Sequence, residues 1–192
     1  MGGISQLFSL PHPLRILDSR PSHFHDDGIF EGGEREVSAI LKWIKLDSLF
    51  KHHHETSEEW VFRFEPLGSG QRHQKSFDKI LPFVQVRYLR KIKPDNLSSD
   101  ESVGLSSASP AELIFLFEAI ADNQVRMSEL NSQLESSHFV KKILMYPPIE
   151  GGDMAIKFLL KENVWFRTYF THRLSKQELR IELCPTELNS EQ

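Results

Sequence analysis

The residues best suited to chemistry come in two short runs, His23-Phe24-His25-Asp26-Asp27 and His52-His53-His54-Glu55. A bound transition ion needs imidazoles and carboxylates that converge on one point. Alternate residues of a strand share a face, whereas neighbours on a helix diverge by about 100°. His23, His25 and Asp27 therefore form one candidate set, and of the triplet only His52 and His54 can join it. A metal-dependent hydrolase using His23, His25, Asp27, His52 and His54 is one reading of the chain. The bland alternative makes the triplet the polar end of a helix, where the dipole favours cations.

The run His23-x-His25-x-Asp27 starts like the His-x-His-x-Asp of metallo-β-lactamase-type hydrolases, but Gly28 stands where that pattern has another histidine. It also starts like the cupin His-x-His pair, but Glu31 comes too late for the glutamate that follows there. Neither pattern is completed. No phosphate-cradling glycine loop, dinucleotide fingerprint or Gly-x-Ser-x-Gly elbow is present. Cys184 with His172 is the one conceivable thiol and base pair, on strands expected to be neighbours. The chain is expected to be non-enzymatic and to need no cofactor.

A different kind of chemistry lies near the C-terminus. Three strands are predicted at about 154–160, 164–171 and 178–184, an antiparallel meander with short turns. One face collects Ile156, Phe158, Leu160, Val164, Phe166, Thr168, Phe170, Leu179, Ile181 and Leu183 as core. The other interleaves Trp165, Arg167 and Tyr169 with Lys157, Arg180, Glu178 and Glu182. Trp, Tyr and Arg dominate protein interfaces, and the same types stack on single-stranded nucleic acid while cations meet phosphate. For nucleic acid the basic run Arg87, Arg90, Lys91 and Lys93 would join Lys157 and Arg180. Glu178 and Glu182 would repel phosphate, which favours a protein partner.

Two main helices are expected to frame this sheet, at about 34–52 and 110–134. The first rests on Val37, Ile40, Leu41, Ile44 and Phe50 at helical spacing. The second rests on Ser109-Pro110-Ala111-Glu112, which reads as a cap, a first-turn proline and a capping box. Its later half keeps only Val125, Met127, Leu130 and Leu134, so Met127, Leu130 and Leu134 are candidate partner contacts. Further strands are predicted in Trp60–Phe64, Phe83–Lys91 and Phe139–Tyr146. The fold class expected is α+β: an antiparallel sheet with a C-terminal three-stranded meander and two main helices.

The domain reading is an extended N-terminal arm over 1–33 and a single α+β domain over 34–192, with a flexible serine-rich and acidic linker at about 94–109. A formal net charge of −4 gives no global pull toward nucleic acid or anionic membrane. No apolar run reaches the ~18 residues of a membrane span, and no secretory signal pattern opens the chain. The single cysteine argues for a reducing compartment, cytoplasmic or nuclear. The leading expectation is an interaction or adaptor subunit of an intracellular multiprotein assembly, with a protein partner or a homo-oligomer. A single-stranded nucleic-acid-binding module is the alternative, and no membrane association is expected.

Overall fold

The computed structural model describes residues 14–16, 24–33, 44–67, 82–91, 110–118, 120–147, 153–173 and 176–186. The described chain is mostly strand. A six-stranded sheet contains β1 (Leu14–Ile16), β2 (Gly28–Gly32), β5 (Val84–Leu89), β6 (Glu112–Phe117), β9 (Met154–Leu160) and β8 (Val140–Tyr146), in that spatial order. A five-stranded sheet contains β10 (Val164–Arg173), β11 (Lys176–Pro185), β4 (Glu58–Pro66), β3 (Ile44–His53) and β7 (Ile120–Asn123). One described helix, α1 (Met127–Glu135), lies between β7 and β8. Pairing is antiparallel except at β1 with β2 and β3 with β7, which are parallel.

The sheets pack face to face because each strand offers a row of large apolar side chains at period two. Trp60, Phe62 and Phe64 of β4 are fully buried, as are Phe115 of β6 and Phe158 of β9. Across the gap, the Phe62 and Phe115 rings lie 4.7 Å apart and the Trp60 and Phe158 rings 5.3 Å apart. Phe30 and Tyr88 of the larger sheet reach Phe166 of the smaller at 5.3 and 5.2 Å. Among the described strands the chain changes sheet five times, between β2 and β3, β4 and β5, β6 and β7, β7 and β8, and β9 and β10. Reciprocal backbone hydrogen bonds of 2.7 Å between His25 and Phe166 tie one side of the sandwich. Gly33 closes β2 at φ +90°, where a Cβ would lie 2.1 Å from the Pro82 carbonyl oxygen, so only glycine fits.

This architecture overturns the α+β class with two main helices. Residues 44–52 of the expected 34–52 helix lie in β3, and residues 34–43 fall outside the described residues. Of the five residues that suggested this helix, Val37, Ile40 and Leu41 fall outside the described residues, and Ile44 and Phe50 lie in β3. A β-bulge shifts the register with β4 between Leu46 and Ser48, so buried Ile44, Leu46 and Leu49 are spaced two and then three apart, which breaks the plain alternation that marks a strand. The expected 110–134 helix is instead β6, β7 and only then α1. Leu113, Phe115 and Phe117 are core, while Ile114 and Leu116 stand on the opposite face. Such two-faced apolar strands match a buried helix in composition.

The C-terminal strands form where expected, but they are not one meander. β9 pairs with β6 and β8 in the larger sheet, whereas β10 pairs with β11. All ten side chains assigned to the core face are buried. Leu14–Ile16 and Gly28–Gly32, from the stretch expected to be an arm, are strands of the larger sheet. The 94–109 linker lies outside the described residues. Among the described residues, no helix is long and apolar enough to cross a membrane.

Candidate functional site

The outward face of the five-stranded sheet carries Trp165, Arg167, Tyr169 and Arg180 of the residues singled out in the sequence, while Lys157 lies on β9 of the other sheet, and Arg167, Tyr169 and Arg180 are held by glutamates. Tyr169, 9% exposed, donates its hydroxyl hydrogen to Glu59 Oε1 at 2.9 Å. Arg180 bridges Glu59 Oε2 at 2.8 Å and Glu178 Oε2 at 2.6 Å. Arg63 holds the other oxygen of Glu178 at 2.8 Å. Arg167 pairs with Glu182 at 2.5 Å and lies 4.7 Å over the Phe24 ring. The register explains the set, because Glu59, Glu182 and Arg167 form one row across β4, β11 and β10, and Val61, Arg180 and Tyr169 the next. Three arginines face three glutamates, and Glu178 is 1% exposed. Trp165 sits half-buried opposite Cys184.

The electrostatics of this strip follow from burial and pairing. Burial, and then the hydrogen bond to Glu59, push the Tyr169 hydroxyl up to about 12. For Glu178, burial works against the charged form, but hydrogen bonds from Arg63 and Arg180 outweigh it and hold the carboxyl below its usual value. A balanced and desolvated ladder of this kind fixes the sheet. It leaves little for a partner to satisfy.

The outward face of the six-stranded sheet is the opposite case. Its rows run Glu31, Gln85, Leu116, Ala155, Tyr146 and then Ile29, Arg87, Ile114, Lys157, Leu144 across β2, β5, β6, β9 and β8. A third row runs Leu89, Glu112, Leu159, Lys142. Leu116, Ala155 and Tyr146 are consecutive in the first row, with Ile114 and Leu144 beside them in the second. Leu116 is 40% exposed, Tyr146 50% and Leu89 44%. Glu112 is neutralised by Lys157 at 2.9 Å, and Glu31 accepts a 2.6 Å hydrogen bond from Gln85. Lys141 and Lys142 stand exposed along β8, and Arg87 Nε is buried without a hydrogen-bond partner. The sequence signal for this face was Leu113-Ile114-Phe115-Leu116-Phe117, apolar on both sides of a strand.

The remaining expected contacts separate. On α1, Leu130 is fully buried, Leu134 is half-buried against the core, and Met127 is 42% exposed. Of the basic residues, Arg180, Lys157 and Arg90 already have carboxylates, the last Asp26 at 3.0 Å. Lys91 is exposed, and Lys93 lies outside the described residues.

Among the described residues, the two histidine runs do not meet. Phe166, the bridge partner of His25, is in register with Leu183, Leu183 with Glu58, and Glu58 with His53. Four strand spacings of about 4.8 Å put roughly 19 Å of sheet between them. His23 lies outside the described residues; Asp27 is exposed. No three His, Cys, Asp or Glu side chains among the described residues converge as a metal set. The triplet ends a strand, not a helix: His52 contacts Phe50, and His53 contacts His138, with ring centroids 5.1 and 4.9 Å apart. His53, His54, Glu55, His138, Phe139 and Pro185 are among the residues lining a cavity of about 300 Å³.

Beneath that cavity lies Glu58, a fully buried carboxylate on the inward face of β4. It accepts hydrogen bonds from Trp60 Nε1 at 2.6 Å, Ser137 Oγ at 2.6 Å and the His138 N–H at 2.8 Å. Nothing in the sequence separated Glu58 from its neighbours. The thiol and base pairing also fails: Cys184 is level with Trp165 and His172 with Gln177, which places them about 24 Å apart along the ladder. Burial pushes the Cys184 thiol up to about 11, away from nucleophilic use.

No protein-family model, curated protein or solved structure matches the chain.

Proposed function

We propose that the chain is a non-enzymatic interaction subunit of an intracellular multiprotein assembly, and that it receives its protein partner on the outward face of the six-stranded sheet. The observation that carries this reading is the adjacency of Leu116, Ala155 and Tyr146 across β6, β9 and β8, with Leu116 and Tyr146 open to solvent. Soluble domains rarely leave contiguous apolar surface without a use for it. The site differs from the one the sequence suggested, because the aromatic and cationic strip on the other sheet satisfies itself.

The chemistry of the partner follows from the residues around the patch. Lys141, Lys142 and Arg87 are the cations without a carboxylate among the contacts described above, whereas Glu112 is matched by Lys157. A complementary surface presents apolar side chains toward Leu116 and Tyr146 and carboxylates toward the β8 lysines. The lone cysteine supports the intracellular setting.

The test is a pair of charge insertions, Leu116→Glu and Tyr146→Glu, in the full chain. Each should abolish recovery of the co-purifying partner while leaving the thermal midpoint within a few degrees, since both side chains are solvent-facing. Photo-crosslinkers at 116 and 146 should capture the same partner, and one at Phe50 should not. A complex that survives both insertions but is lost in Met127→Glu would move the interface to the helix and sink this reading.

A further inference from the structure

The strongest unassigned cluster is the pair His53 and His138 at the mouth of the cavity. We infer that these two imidazoles form a binding site for a borderline divalent transition ion such as Zn²⁺, Ni²⁺ or Cu²⁺. Given metal–nitrogen bonds of about 2.0–2.1 Å, two imidazoles on one tetrahedral ion hold their ring centroids roughly 5 Å apart. His53 and His138 stand at 4.9 Å with planes at 67°.

Their backbones are held by a single residue. His53 is the ladder partner of Glu58, and the His138 N–H donates to Glu58 Oε2 at 2.8 Å. Glu58 is itself locked by Trp60 and Ser137. The hairpin beside it is closed by the His54 N–H on the Ser57 carbonyl at 3.0 Å. Two positions far apart in sequence, one in a strand and one in the turn after α1, are thus fixed relative to each other while both rings remain exposed. Preorganised ligands of this kind lower the cost of capture.

Glu55 lines the cavity, and Ser57, also in its lining, donates to Glu182 at 2.8 Å. The nearby ammonium groups are already engaged: Lys51 Nζ donates to Ser136 Oγ at 2.9 Å and lies 3.9 Å from Glu58 Oε2, and Lys161 Nζ donates to the Ser137 carbonyl at 2.5 Å. Imidazole donors select zinc, nickel or copper over calcium and magnesium, which take oxygen shells. Because no third described His, Cys, Asp or Glu converges, the site supplies two protein ligands, and water or an exogenous donor fills the remaining positions.

The experiment uses untagged, chelator-treated full-length chain titrated with Zn²⁺ and, separately, with Cu²⁺. The expected result is one saturable equivalent, and a copper spectrum with coupling to two imidazole nitrogens. His53→Ala and His138→Ala should each weaken binding by at least about tenfold, and His52→Ala should leave it unchanged. Thermal melts of all three variants should match the parent, since the three rings are exposed. No saturable binding, or binding that persists in both variants and disappears in His25→Ala, overturns the inference.

Discussion

Tyr169 on β10 and Glu59 on β4 are joined across the intervening β11 by a 2.9 Å hydrogen bond from hydroxyl to carboxylate. The bond requires the phenol to keep its proton. An unfolded tyrosine releases it near pH 10, whereas the folded one holds it to about 12. The stabilisation is therefore fully present below about pH 10 and is lost as pH rises through 10 to 12. Urea melts at pH 9 and pH 11 should show a smaller loss in Tyr169→Phe than in the parent. At pH 7 that variant should be less stable by about 1–3 kcal/mol, because Glu59 loses a donor.

Glu178 sets the acid side. Its carboxyl is held low by Arg63 and Arg180 against the opposing effect of burial, while an unfolded glutamate titrates near 4.3. Its stabilisation is present above about pH 4.3 and disappears as pH falls through the lower folded value. Glu178→Gln should flatten the fall in stability between about pH 5 and 3. It should also cost about 3 kcal/mol at pH 7, since the guanidinium groups of Arg63 and Arg180 lose their shared carboxylate.

Glu58 should be the costliest single polar residue to remove. Glu58→Ala strips acceptors from Trp60 Nε1, Ser137 Oγ and the His138 N–H at once, and each unpaired buried donor costs about 1–3 kcal/mol. A loss of about 3–5 kcal/mol is expected in denaturant melts. Hydrogen exchange at His138 should accelerate in Glu58→Gln even where the global midpoint moves less.

Gly33→Ala should destabilise although the residue is exposed. Its φ of +90° disfavours a side chain, and the new methyl would meet the Pro82 carbonyl at 2.1 Å. A loss of about 2 kcal/mol or more is expected from strain and clash together. A midpoint unchanged within error would show that the turn relaxes freely.

What the sequence disclosed follows from how strands announce themselves. Trp60, Phe62 and Phe64, and later Leu179, Ile181 and Leu183, alternate without interruption, and each was legible as a strand with its inward face. β3 was hidden because the bulge breaks its alternation and because Ile44 and Phe50 were read in one pattern with Val37, Ile40 and Leu41, which lie outside the described residues. β6 was hidden because Ile114 and Leu116 make its outward side as apolar as its inward side. The partition of strands between two sheets leaves no local trace, so the Lys161-Glu162-Asn163 turn looked like an ordinary hairpin while it carries the chain from one sheet to the other. For the candidate site, residue types drew attention to Arg167 and Tyr169. Their glutamate partners on other strands, which remove them from use, became visible only with register.

The order of strands in the five-stranded sheet has a bearing on how the chain reaches its fold. β11, the last described strand, lies between β10 and β4, with Leu179 opposite Phe62. Synthesis from the N-terminus delivers β3 and β4 more than a hundred residues before the strand that must sit beside them. Until then one edge of β4 is open, its backbone donors and acceptors exposed to any competing strand. The hairpin of β10 and β11 is the element whose arrival closes that edge, so the nascent protein is most vulnerable to mispairing during the interval before the turn between β10 and β11 is made.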